Sequence, residues 1–156
     1  MTKLKVFLFV LFFALQSSVA SAQVTNKPLP DSIDVNQTLN GFVDALSNLQ
    51  LNKLSGFFAP DATVFFPPSS KRAQRAEGRK EIETVFNNFF ENLKKQNIIH
   101  LNIHPLDLKI QVFNRVAIAT FHLDDPDLFG RRSVVLEKRK DHWLIVHLHA
   151  SGVKQN

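Results

Sequence analysis

Two histidines, His147 and His149, stand two residues apart in the run Trp143-Leu144-Ile145-Val146-His147-Leu148-His149-Ala150-Ser151. In an extended strand that spacing puts both imidazoles on one face, with Cβ atoms roughly 6–7 Å apart. Near neutral pH an imidazole can donate or accept a hydrogen bond, and it suits general-base chemistry. The pair could grip a small anion or a carbonyl, or one ring could move a proton. Equally, both could be core histidines satisfied by backbone carbonyls or a carboxylate. The strand itself reads as having no solvated face. Trp143, Ile145, His147, His149 and Ser151 would alternate to one side, and Leu144, Val146, Leu148 and Ala150 to the other. A strand apolar on both sides must be covered twice. The change from apolar to imidazole along the first side is the pattern of a core that opens into a pocket.

Other side chains could complete such a pocket. Asp61 is either a turn carboxylate or a second candidate acid, beside His147 and His149, for catalysis. One of Arg131 and Arg132 must face inward on an alternating strand, and an inward Arg132 could meet a carboxylate ligand. Arg75 and Arg79 could reach in from the rim or lie in solvent. Trp143 would sit at the pocket base, with Phe65, Phe86 and Phe90 as apolar wall; core packing is the alternative for all four. No metal site is expected. The chain has no cysteine, and His100 and His104, four apart on an expected strand, would be separated by roughly 13 Å. Asp124, Asp125 and Asp127 lack the glycine and terminal glutamate of a calcium loop. Nothing in the sequence requires a cofactor.

The elements that must hold these groups follow from periodicity. A helix beginning near Asp34 carries Val35, Leu39, Phe42, Val43, Leu46 and Leu49 on one face, weakened slightly by Gly41. A short amphipathic piece with Leu51, Leu54, Phe57 and Phe58 ends before Pro60. Ala62 to Phe66 is β-rich and stopped by Pro67-Pro68, and Ser69 to Glu77 reads as a polar loop. A third helix starts at Glu81, with the stripe Ile82, Val85, Phe86, Phe89, Phe90 and Leu93, and Lys94 and Lys95 at its carboxyl end as the helix dipole favours. Beyond Asn97 the period becomes two. Strands are expected at Ile99–His104, Leu108–Phe113, Val116–Leu123, Arg132–Lys138 and Trp143–Ser151. Pro105 marks a bulge, and turns fall at Asn114-Arg115 and Lys140-Asp141. Helices first and a meander last is an α+β layout.

Residues 1–22 read as a secretory signal peptide: Lys3 and Lys5, the ten-residue apolar run Val6–Leu15, then Ala20-Ser21-Ala22. The run is too short for a stable membrane anchor. Residues 23–33 read as a flexible tether, 34–152 as one domain and 153–156 as a tail. A mature chain of that size buries roughly 65–70% of its unfolded surface. An exported chain without cysteine has no disulfide to help it, which leans towards a bacterial periplasm, with secretion the alternative. The leader holds two of the 19 basic residues and none of the 14 acidic ones, leaving a net charge of about +3. That mild excess describes solvated faces, and no nucleic-acid partner is expected.

Several segments in order resemble the NTF2-like superfamily, specifically its SnoaL-like branch, over residues 35 to 152. Ala59-Pro60-Asp61-Ala62-Thr63-Val64-Phe65-Phe66-Pro67-Pro68 resembles the first-strand segment, and Gly78-Arg79-Lys80-Glu81-Ile82 the glycine-led start of the third helix. Val116 to His122 resembles a central strand. Trp143 to Ser151 is similar to the closing strand of that branch and of the calcium/calmodulin-dependent kinase II association domain. The resemblance implies a cone: a strongly curved mixed or antiparallel sheet around about three helices, with a pocket inside and a homodimer through the outer sheet face. Leu144, Val146 and Leu148 would then be interface rather than an exposed apolar patch.

Activity does not follow from that fold. The ketosteroid-isomerase design needs a tyrosine, and this chain has none. Where the kinase association domain carries pocket arginines, this chain has Val134 and Val135. The expected role is binding of a small, largely apolar molecule with a carbonyl or carboxylate. The alternatives are a structural or oligomerisation module, and a cofactor-free isomerase or lyase with a histidine base. A cavity of roughly 300 Å³ or more would favour binding, and a filled cone the structural role.

Overall fold

The computed structural model describes residues 30–69, 72–123 and 128–154. The expected leader, most of the tether and the Asp124–Asp127 loop lie outside the described residues. Three helices, α1 (Pro30–Ser47), α2 (Leu51–Gly56) and α3 (Arg79–Lys95), accompany six strands: β1 (Phe58–Ser69), β2 (Arg72–Glu77), β3 (Pro105–Phe113), β4 (Val116–Leu123), β5 (Leu128–Arg139) and β6 (His142–Lys154). The strands form one curved, unclosed sheet in the order β2-β1-β6-β5-β4-β3. The β1–β6 pair is parallel and every other pair antiparallel. This is the expected α+β cone.

The helices cover the concave side. On α1 the fully buried residues are Val35, Leu39, Phe42 and Ala45, spaced as the 3.6-residue period requires. The helix begins at Pro30, four residues before the sequence signal, so the end of the expected tether is helical; proline suits a first helical turn. Gly41 has a packing reason: a Cβ there would stand 2.7 Å from Cζ of Phe57, whose ring meets Phe42 edge-on at 6.4 Å. On α3, Ile82, Phe86 and Phe90 are buried. Gly78, with φ 79 and ψ 149, makes the turn into α3 and donates its N–H to the Ala62 carbonyl at 2.7 Å.

Several expected elements differ in the structure. Strand β1 takes in Phe58 and runs through Pro67-Pro68 to Ser69. The polar loop at Ser69–Glu77 contains strand β2, which pairs with β1 through Thr63↔Glu77 and Phe65↔Arg75. As an edge strand it need not carry an apolar repeat. The strand expected at Ile99–His104 is irregular backbone. It runs past the end of α1, where the Leu101 N–H bonds the Ser47 carbonyl at 2.8 Å, and it turns Leu101 and Ile103 towards the cone. The β3 irregularity sits beyond Pro105, between Leu106 and Lys109, where Asp107 takes φ 53. Strand β4 spans the expected residues, and the turns at Asn114-Arg115 and Lys140-Asp141 are present.

Candidate functional site

A single bulge decides which side chains face the cone. On β5, the neighbours Val135 and Leu136 pair with His147 and Ile145 of β6. Two adjacent residues thus oppose two that are separated by Val146, which is the extra residue of a β-bulge. Alternation reverses across it. Trp143 and Ile145 point into the core before the bulge, and Leu148 and Ala150 after it, all four buried. His147, half-buried, and His149, exposed, therefore lie on the outer face. The expected common face of Trp143 and the two histidines does not exist. Leu148, expected on the outer face with Leu144 and Val146, is an inner residue.

The histidines join an outer cluster. His147 Nδ1 shares a hydrogen bond of 2.7 Å with the Thr63 hydroxyl. Phe65 projects from β1 on the same side, its ring 5.9 Å from that of His147 and 5.8 Å from that of His149. Phe65 is thus an outer-face residue rather than pocket wall. Asp61 is also outside, exposed and gripped by both Arg139 Nη atoms at 2.5 and 3.0 Å. That hydrogen bonding holds its carboxyl below the usual aspartate range. Of the rim arginines, Arg75 pairs with Glu77 at 2.5 Å and Arg79 donates to the Phe58 carbonyl.

Inside the cone is an apolar cavity of about 220 Å³. Its walls come from α1 (Phe42, Val43, Leu46), α3 (Phe86, Phe89), the irregular segment (Leu101, Ile103) and the sheet (Pro67, Phe121, Leu123, Arg132, Leu148, Ala150). Of the sequence candidates, Phe86 and Arg132 line it. Phe90 is core behind Phe86, with ring centroids 6.0 Å apart. Trp143 borders a separate, open groove with Asp34, Phe57 and Arg139. Its indole N–H is buried with no hydrogen-bond partner among the described residues, and the Lys138 ammonium lies 5.8 Å from its ring centre. Of the other walls, those from α1, α3 and β4 were visible only as apolar residues of those elements; Leu101 and Ile103 stood in an expected strand, Pro67 in an expected strand stop, and Leu148 and Ala150 on the expected outer face. The cavity is smaller than the 300 Å³ expected of a binding pocket, yet the cone is not filled.

Among the described residues, Arg132 is the only charged one on these walls. Its Nη1 donates to the carbonyls of Arg131 at 2.9 Å and Ser151 at 3.0 Å, and burial pushes its pKa down. It also borders a small outer depression with Asp107 and His122, where Asp107 faces His122 Nδ1 at 3.4 Å. No described wall residue of the cone cavity is a histidine or a carboxylate. Among the described residues, no group of three histidines or carboxylates could hold a metal ion, and no helix is long and apolar enough to cross a membrane.

A sequence model of the SnoaL-like domain matches residues 35–154. The chain belongs to the SnoaL-like domain family. No curated protein matches its sequence. Among solved structures, the SnoaL-like chain is similar to a proposed dehydratase of the NTF2-like family from Streptomyces avermitilis, at 17% identity and TM-score 0.68, over 81% of this chain and 100% of that one. It is similar to a proposed ketosteroid isomerase from Parabacteroides distasonis, at 20% identity and TM-score 0.61, over 85% and 93%. A third likeness is to a proposed calcium/calmodulin-dependent protein kinase II association domain from Xanthomonas campestris, at 21% identity and TM-score 0.60, over 83% and 95%. At these identities the likeness is one of fold.

Proposed function

We propose that this SnoaL-like protein is exported and binds a small, largely apolar molecule carrying a carbonyl or carboxylate in the cone cavity. The observation that carries the reading is the cavity itself: among the described residues, twelve apolar side chains and one arginine surround about 220 Å³ of space. Natural cores leave few voids larger than a water molecule, so an unfilled interior of this size needs an occupant or a reason. Its modest volume favours a guest smaller than a drug-sized ligand. Binding is favoured over the isomerase or lyase reading because the described walls offer no general base, and the two histidines lie outside.

Ala150→Leu tests this against the structural reading. Added methyl groups in the cavity should abolish the amide shift changes that small apolar acids or ketones cause in NMR titrations, while the spectrum stays dispersed. If such probes perturb only outer-face residues around His149 and Phe65, or nothing at all, and Ala150→Leu merely raises the melting temperature, the cavity is structural. The export half of the reading rests on Lys3, Lys5, the apolar run and Ala20-Ser21-Ala22. Protein from the native envelope should begin at Gln23 by intact mass, and a soluble product retaining Met1 would contradict it.

A further inference from the structure

The guanidinium of Arg132 is incompletely used by the described residues. Its Nη1 is satisfied by the Arg131 and Ser151 carbonyls. Its Nε and Nη2 meet no acceptor among the described residues, and no described carboxylate stands within ion-pair distance of it. Arginine does not shed its proton in proteins, so the charge stays. A partly buried cation at the wall of a cavity whose other described lining is apolar is costly unless something compensates it. Gly130 keeps that position open: a Cβ there would stand 3.1 Å from Nη1 and 3.5 Å from Nη2 of Arg132, and 3.4 Å from Cβ of Leu123.

Resting on the cone-cavity reading above, we infer that the guest is a monocarboxylate, bound with its carboxylate on Nε and Nη2 of Arg132 and its apolar body among Phe42, Phe86, Phe89 and Phe121. A carboxylate matches the planar fork with two parallel charge-assisted hydrogen bonds. A neutral carbonyl offers one acceptor and leaves the charge uncompensated. A dicarboxylate or a phosphate ester brings more negative charge than one arginine answers. Hydroxyl groups elsewhere on the guest would be stranded, because the remaining described walls offer no polar side chain. The volume is that of about seven waters at liquid density, which admits a short-chain or single-ring acid.

Matched acid and amide pairs test the inference: hexanoate against hexanamide, and benzoate against benzamide, titrated into the mature chain. Calorimetry gives affinity, and the Arg132 side-chain Nε–H resonance gives location. The acid should bind at least tenfold more tightly than its amide and shift the Nε–H signal. In Arg132→Gln, acid affinity should fall at least tenfold while amide affinity holds. Arg132→Lys, which keeps the charge and loses the fork, should fall between. Should Arg132→Gln fail to fold, the wild-type comparison still decides. Equal affinity for acid and amide, with shifts confined to the cavity, would overturn the role of Arg132 and leave the cavity reading standing. No binding by any of the four compounds at millimolar concentration would overturn both.

Discussion

Leu148 and His149 are sequence neighbours placed on opposite faces of the sheet. Leu148 is 5% exposed and lines the cavity, whereas His149 is exposed beside Phe65. The energetic consequences differ accordingly. Leu148→Ala removes buried methyl groups and enlarges an existing void, so a loss of about 2–5 kcal/mol is expected. His149→Ala touches only the outer face and should stay within about 0.5 kcal/mol of the parent. Urea midpoints for the two variants check the pair, and a reversed order would put the histidine in the core and the leucine outside. Part of the site was legible in sequence: alternation requires one of Arg131 and Arg132 to face inward, and Phe86 was among the expected wall residues that line the cavity. The side on which His147, His149, Phe65 and Leu148 fall was not. Side-chain direction on a strand has a period of two, so one extra residue reverses it. A strand apolar on both sides carries no pattern by which that reversal could be noticed.

At the scale of elements, the legible parts are those whose apolar spacing matches one period throughout. Helix α3 has its buried stripe at Ile82, Phe86 and Phe90, and β4 alternates buried Ala117, Ala119 and Phe121 with more exposed neighbours. The illegible parts depend on a neighbour. Strand β2 is a strand because β1 offers it a ladder, and its own residues do not announce it. Residues Ile99 to His104 alternate like a strand but have no ladder beside them. Leu101 and Ile103 instead turn into the cavity, and the Leu101 N–H reaches the end of α1. That alternation was real and its meaning was different: it describes a wall laid across the cone. The segment, α1 and the inner face of β6 therefore build one site, although each is defined by a different local rule. The bulge at Val146 belongs to this scale too. By turning Leu148 and Ala150 inward it gives the cavity an aliphatic wall, and by turning His147 outward it gives β1 and β6 their side-chain link through Thr63.

For the whole molecule, the sheet's outer face divides into two kinds of surface. Near the β3–β4 and β5–β6 turns, the register sets Phe113 opposite Val116, Ile118 opposite Val135, and Glu137 opposite Leu144, with Val146 beside them. Phe113 is 56% and Val116 39% exposed. Farther along the same strands, Lys109, Thr120, Ser133 and His149 form a polar row. We propose that the apolar part is the contact of a homodimer, in which Leu144 and Val146 keep their expected places and Leu148, a cavity residue, does not. A two-fold contact buries the same patch on both subunits, so one charge is introduced twice. Val146→Glu would place two further carboxylates in a patch that already holds Glu137 opposite Leu144, against the exposed Phe113 and Val116. The parent should sediment as a dimer at micromolar concentration and the variant as a folded monomer. Lys109→Glu, in the polar row, should leave the dimer intact. The two substitutions separate a local contact from a general effect of charge. A parent that sediments as a monomer, or a Val146→Glu dimer as tight as the parent, would refute this placement. The cone cavity opens on the other side of the sheet, so guest affinity should be the same in monomer and dimer.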